Sequence, residues 1–81
     1  MRVRVLLFAQ YREFAGTSAL EVDLPDGATA GALVAVLRGR GGGLERIPAT
    51  TAVAVNLEYA SSETPLRDGD EVALIPPVAG G

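Results

Sequence analysis

Cysteine, histidine, lysine and tryptophan are all missing from the 81 residues. Without cysteine there is no disulfide framework, no thiolate nucleophile and no thiolate-held metal. Without histidine the commonest general base and the commonest metal ligand are gone. All seven basic residues are arginine, so Schiff-base chemistry and a phosphate-loop lysine are excluded as well. Chemistry is left to carboxylates, hydroxyls, guanidinium groups and the chain ends. Positive charge is also short: the net charge is −3 and the pI about 4.7. Binding to nucleic acid or to anionic lipid needs a cationic field, and neither is expected. The apolar runs at 5–9 and 32–37 are far below the about 20 residues of a membrane span. The opening MRVRVLLFAQYRE starts like a signal peptide, but its apolar stretch stops at Gln10 and Arg12. A cytoplasmic location is the resulting expectation.

Eighty-one residues with 48% hydrophobic and 21% charged side chains read as one globular domain. Aromatics are only 5%, so the core must be built from small aliphatics. Residues 2–9 alternate, with Val3, Val5 and Leu7 inward and Leu6 and Phe8 outward. Residues 17–24 alternate again, placing Leu20, Val22 and Leu24 inward. The pair predicts a hairpin with a longish connection broken at Gly16. Pro25-Asp26-Gly27 is a turn, and Thr29 caps a helix over 30–39 with a Leu33, Val36, Leu37 stripe. Gly41-Gly42-Gly43 reads as a flexible helix exit. Residues 51–57 form a strand with Val53, Val55 and Leu57 on one side. Residues 71–75 form the last strand, which Pro76 and Pro77 end. Hairpin, main helix and returning strands describe an α+β domain of the β-grasp kind, with a mixed four- to five-stranded sheet. Its first and last strands should be central neighbours. The expected division is a domain over 1–75 and an extended tail over 76–81.

Few residues invite chemistry. Asp68, Asp70 and Glu71 are clustered, but without a calcium-loop spacing they read as a turn with solvated charges, and no metal is expected. Thr50, Thr51, Ser61 and Ser62 have no base to activate them and read as loop residues. The glycine run lacks a phosphate-binding fingerprint. Gly80-Gly81 has two readings. One is a frayed end. The other is a slim stalk, stiffened at its base by Pro76-Pro77, that presents a carboxylate to another enzyme. A second site is the outward face. Leu6, Phe8 and Ile75 share a direction by strand parity, and Tyr59 joins them as an apolar patch suited to a partner.

LLFAQYREFAG at 6–16, VAVN at 53–56 and PLRDGDEVALIPPVAGG at 65–81 resemble the MoaD/ThiS ubiquitin-like family, specifically its molybdopterin synthase small, sulfur-carrier members. Residues 25–50 match in pattern only. The resemblance implies a ubiquitin-like β-grasp and a carrier that is not an enzyme on its own. It implies that an ATP-dependent adenylyltransferase activates the Gly81 carboxylate, that a sulfurtransferase route converts it to a thiocarboxylate, and that Gly80 gives a narrow approach. ATP would be used by the activating partner, with no cofactor bound here. The sulfur would pass to cyclic pyranopterin monophosphate inside a large subunit, in a heterotetramer. Phe8, Arg12, Tyr59, Ile75, Pro76, Pro77 and Val78 match positions facing that partner. The alternatives are a thiamine-pathway sulfur carrier, a ubiquitin-like modifier of other proteins, and an interaction domain whose tail is inert.

Overall fold

The computed structural model describes residues 1–77. β1 (Arg2–Leu7) buries Val3, Val5 and Leu7 as its alternation requires. The connection that follows is not a loop but a helix, α1 (Ala9–Ala15). Phe8 is therefore outside the strand, in extended backbone at the helix N-cap. Tyr11 turns inward and is fully buried, with Phe14 and Ala15 packed against the core. Gly16, at φ 75°, ends the helix by donating its N–H to the Arg12 carbonyl at 2.9 Å.

β2 (Ala19–Asp23) returns antiparallel to β1. Thr29 caps α2 (Ala30–Gly39), its hydroxyl accepting the Ala32 N–H at 3.2 Å. The buried stripe of α2 is Ala30, Leu33, Val34 and Leu37, and Val36 is exposed instead. At about 100° per residue, Val34 lies nearer than Val36 to the arc centre set by Ala30, Leu33 and Leu37. Gly41, Gly42 and Gly43 all have positive φ and lead into a 3-10 turn at Leu44–Arg46. This exit is packed rather than loose, because Leu44 and Ile47 are buried and Gly43 lies against the Phe14 carbonyl.

β3 (Ala52–Val55) is shorter than the expected strand. Asn56 and Leu57, at φ 49° and 73°, form a tight turn into β4 (Glu58–Ala60). The turn throws Leu57 into solvent, 94% exposed, away from the side of the strand that alternation had it share with Val53 and Val55. β5 (Glu71–Ile75) completes a mixed sheet of order β2-β1-β5-β3-β4. β1 and β5 are the parallel central pair, and every other pairing is antiparallel. Inward residues of β1, β2, β3 and β5 share one core cluster with the buried faces of α1 and α2. Among the described residues, the opposite face of the sheet carries no helix residue of that cluster. Among the described residues no helix is long and apolar enough to cross a membrane.

Candidate functional site

Strand register decides what the open face presents. Tyr59 pairs with Ala54, Ala54 with Ala73, Ala73 with Leu6, and Leu6 with Ala19. Paired residues share a face, so these five form one row across all the strands. Small alanines in the middle leave Tyr59, 80% exposed, and Leu6, half-buried, standing at either side. One step toward the end of β5, Ile75 pairs with Ala52 and is half-buried. Phe8 is 48% exposed at the start of α1, beyond the end of β1. Register thus puts Leu6, Ile75 and Tyr59 on one face, whereas Phe8 belongs to the helix start and is not placed by strand parity. Arg12 is exposed on α1. On the same open face, Arg4 pairs with Glu71 on one side and Glu21 on the other, so the neighbouring row is charged.

The chain leaves the sheet at Ile75. Pro76 is half-buried and Pro77 exposed, and neither has an N–H to pair. A cleft of about 330 Å³ lies beside them, lined by Tyr11, Pro48, Thr50, Thr51, Ile75 and Pro76 among others. Thr51 is the residue that reading by sequence missed. Its Oγ1 lies 3.2 Å from the Ile75 carbonyl oxygen and 2.9 Å from the Tyr11 hydroxyl. Nothing local marks it, since Thr50 and Thr51 look alike in a loop. Val78, Gly80 and Gly81 lie outside the described residues.

The acidic cluster is a turn. Asp68 accepts the Arg2 N–H at 2.7 Å, and Asp70 accepts the Arg67 N–H at 2.8 Å and the Asn56 amide at 2.9 Å. These carboxylates are spent on backbone and amide donors, and the described residues contain no group of three acidic side chains placed for a metal. On the far edge, Arg2 Nε donates to Asp23 at 2.8 Å, with Glu21 at 3.8 Å. The hydrogen bond and charge of Arg2 hold the Asp23 carboxyl below its ordinary value. This pair is at the sheet edge and has no place in the patch.

A mixed sheet with a parallel central pair, one face covered by helices and one left open, defines a ubiquitin-like β-grasp domain, a fold shared with solved archaeal ubiquitin-like proteins. The chain belongs to the ThiS family, whose model matches residues 5–81. A curated relative, the molybdopterin synthase sulfur carrier subunit of Chlamydomonas reinhardtii, is 40% identical over 83 residues covering 100% of both chains. SAMP1 from Haloferax volcanii, a small archaeal modifier protein, matches at TM-score 0.87 and 34% identity over 100% of both chains. A chain in the complex of subunits 1 and 2 of the molybdopterin-converting factor from Helicobacter pylori matches at TM-score 0.71 and 29% identity, again over 100% of both.

Proposed function

We propose that this chain is a sulfur carrier of molybdenum cofactor biosynthesis, the non-catalytic small subunit of a molybdopterin synthase. The observation that carries the reading is the end-to-end likeness to a molybdopterin synthase sulfur carrier subunit, within a family match that runs through Gly81. The described residues supply no histidine, cysteine or lysine, so the reactive group assigned here is the Gly81 carboxylate.

A carboxylate is a poor electrophile until one oxygen becomes a good leaving group. In the proposed sequence that oxygen attacks the α-phosphorus of ATP on an adenylyltransferase, and pyrophosphate leaves. A hydrosulfide-equivalent nucleophile from a sulfurtransferase attacks the acyl carbon, and AMP leaves. The thiocarboxylate sulfur then attacks a carbon of cyclic pyranopterin monophosphate in the large subunit, and the carbon–oxygen bond at that carbon breaks, its oxygen leaving as water or phosphate. Hydrolysis of the thioester leaves sulfur on the acceptor and restores the carboxylate. ATP is consumed on the activating partner, and this chain holds no cofactor. The domain over 1–75 docks, and the tail over 76–81 delivers. The docking face assigned is Phe8, Arg12, Tyr59 and Ile75, with Pro76, Pro77 and Val78 at the tail base and Gly80 giving the narrow approach.

The test starts from thiocarboxylated protein mixed with a molybdopterin synthase large subunit and cyclic pyranopterin monophosphate. Intact mass should show terminal sulfur replaced by oxygen as molybdopterin forms. Deleting Gly81 should abolish transfer, and Phe8→Arg should weaken binding to the large subunit with the unfolding midpoint unchanged. Retained sulfur, with the same large subunit active on another carrier, would refute the reading. A second reading, a ubiquitin-like modifier of other proteins, is favoured by the likeness to SAMP1. Covalent adducts of this chain on target lysines would support it. Transfer of the sulfur to a thiazole-forming enzyme would instead support the thiamine-pathway alternative.

A further inference from the structure

We infer that Thr51 and Tyr11 are positioning residues that aim the tail, by pinning the last carbonyl of β5. The inference rests on the sulfur-carrier reading.

Tyr11 is wholly buried, and a phenylalanine would fill nearly the same space. A buried hydroxyl is costly unless it is partnered. The partner is Thr51, 2.9 Å away, and Thr51 is also 3.2 Å from the Ile75 carbonyl oxygen. The Ala52 carbonyl, at 3.4 Å, is a longer contact. Threonine has one proton to give. Thr51 is the donor in both contacts, and its one proton is shared between the Tyr11 hydroxyl oxygen and the Ile75 carbonyl oxygen. Two hydroxyls thus link α1, the residue before β3, and the end of β5.

The pinned point is where direction is set. Pro76 and Pro77 have no N–H for a ladder, and their rings hold φ near −65°. Orientation fixed at Ile75 is therefore passed on stiffly through these two residues. Two extended residues span up to about 7 Å, so a tilt of about 10° at the root moves the far side of Pro77 by roughly 1 Å. Misplacement of a reacting group by about 1 Å can cost about a hundredfold in rate. A pin at the root is worth more to delivery than the same hydrogen bond elsewhere. Pro48 and Thr50 line the adjoining cleft but make no bond to Ile75, so they are not included.

The test uses the full chain carrying Thr51→Val, Thr51→Ser or Tyr11→Phe. Two readouts are needed: the carbonyl carbon resonance of Ile75, and sulfur transfer to the large subunit resolved into kcat and KM for the carrier. Thr51→Val should shift the resonance and lower kcat about tenfold, with KM changed less than about twofold. Thr51→Ser should restore both, and Tyr11→Phe should give a smaller loss in kcat. An unmoved resonance overturns the inference, as does a moved one with kcat unchanged or with the loss confined to KM. If the unmodified chain transfers no sulfur, the carrier reading falls first and this inference with it, whatever the resonance does.

Discussion

Gly43 is the position where one methyl group should do the most damage. A Cβ built there would lie 1.9 Å from the Phe14 carbonyl oxygen and 2.9 Å from its carbonyl carbon, distances below the 3.0 Å floor of real Cβ contacts. The obstacle is backbone, so no rotamer change relieves it, and α1 must move away from the 3-10 turn by about 1 Å. Overpacking of this kind costs about 1–3 kcal/mol. The residue also sits at φ 107°, and left-handed backbone adds about 1–2 kcal/mol for an L side chain. Less about 0.4–1 kcal/mol recovered from the unfolded chain, Gly43→Ala should therefore lose about 1–5 kcal/mol. Gly41 is the control. Its φ is 72°, but nothing lies within 4 Å of the added carbon. Gly41→Ala incurs the backbone cost alone, less about 0.4–1 kcal/mol recovered from the unfolded chain, for a net loss of about 1 kcal/mol or below. A domain of this size holds roughly 4–12 kcal/mol in total, so the difference is easily read. The two variants differ by the packing cost of about 1–3 kcal/mol, so at about 4–8 °C per kcal/mol they should melt roughly 4–24 °C apart. Urea unfolding followed by circular dichroism gives the same comparison with m unchanged. Equal destabilisation of the two variants, within about 0.5 kcal/mol, would refute the packing argument and leave only the backbone one.

Two further perturbations test the edges of the sheet. Leu57→Gly removes a side chain that touches almost nothing and relieves φ 73°, so it should raise the urea midpoint by about 0.5–1 kcal/mol of stability; a lower midpoint would show that Leu57 packs in solution. Asp23 has its folded pKa depressed by Arg2, so its contribution is present above the ordinary carboxylate value of 3.8 and is lost as pH falls through the folded one. The gap in melting temperature between the parent and Asp23→Asn should narrow as the pH is lowered below the ordinary value of 3.8, and should shrink in 1 M salt (about a 3 Å screening length) because the pair is exposed. A gap independent of both would mean that the pair contributes nothing.

Alternation placed the inward residues of β1 and β5, because a period of two is written in neighbouring residues, whereas the adjacency of these strands came from the β-grasp arrangement and their parallel sense from the structure. The Thr29 cap and the turn at Asp68–Asp70 were legible for the same reason: each uses donors and acceptors within a few positions. Two local signals were present and outweighed. Tyr11, Phe14 and Ala15 follow helical spacing and Gly16 follows as a stop, yet the strong strand pattern of 2–8 ran straight over the start of α1. Val36 fitted a three-residue stripe until Ala30 was counted with it. The outward row depended on pairings among strands far apart in sequence, and parity alone could supply the direction of Leu6 and Ile75 but not their alanine neighbours.

Tyr11 shows why the remainder was out of reach. It is one of four aromatics and fully buried, but its value to the site lies in a hydroxyl that meets Thr51 forty positions later. Thr51 in turn matters only because Ile75, twenty-four positions further on, ends its strand within reach. No window along the chain contains this triple. It exists because α1 packs under the sheet at the same end where β3 begins and β5 stops. That geometry follows from the strand order, in which β5 lies between β1 and β3. The helix that was hardest to see in the sequence is thus the element that brings a buried hydroxyl to the base of the tail.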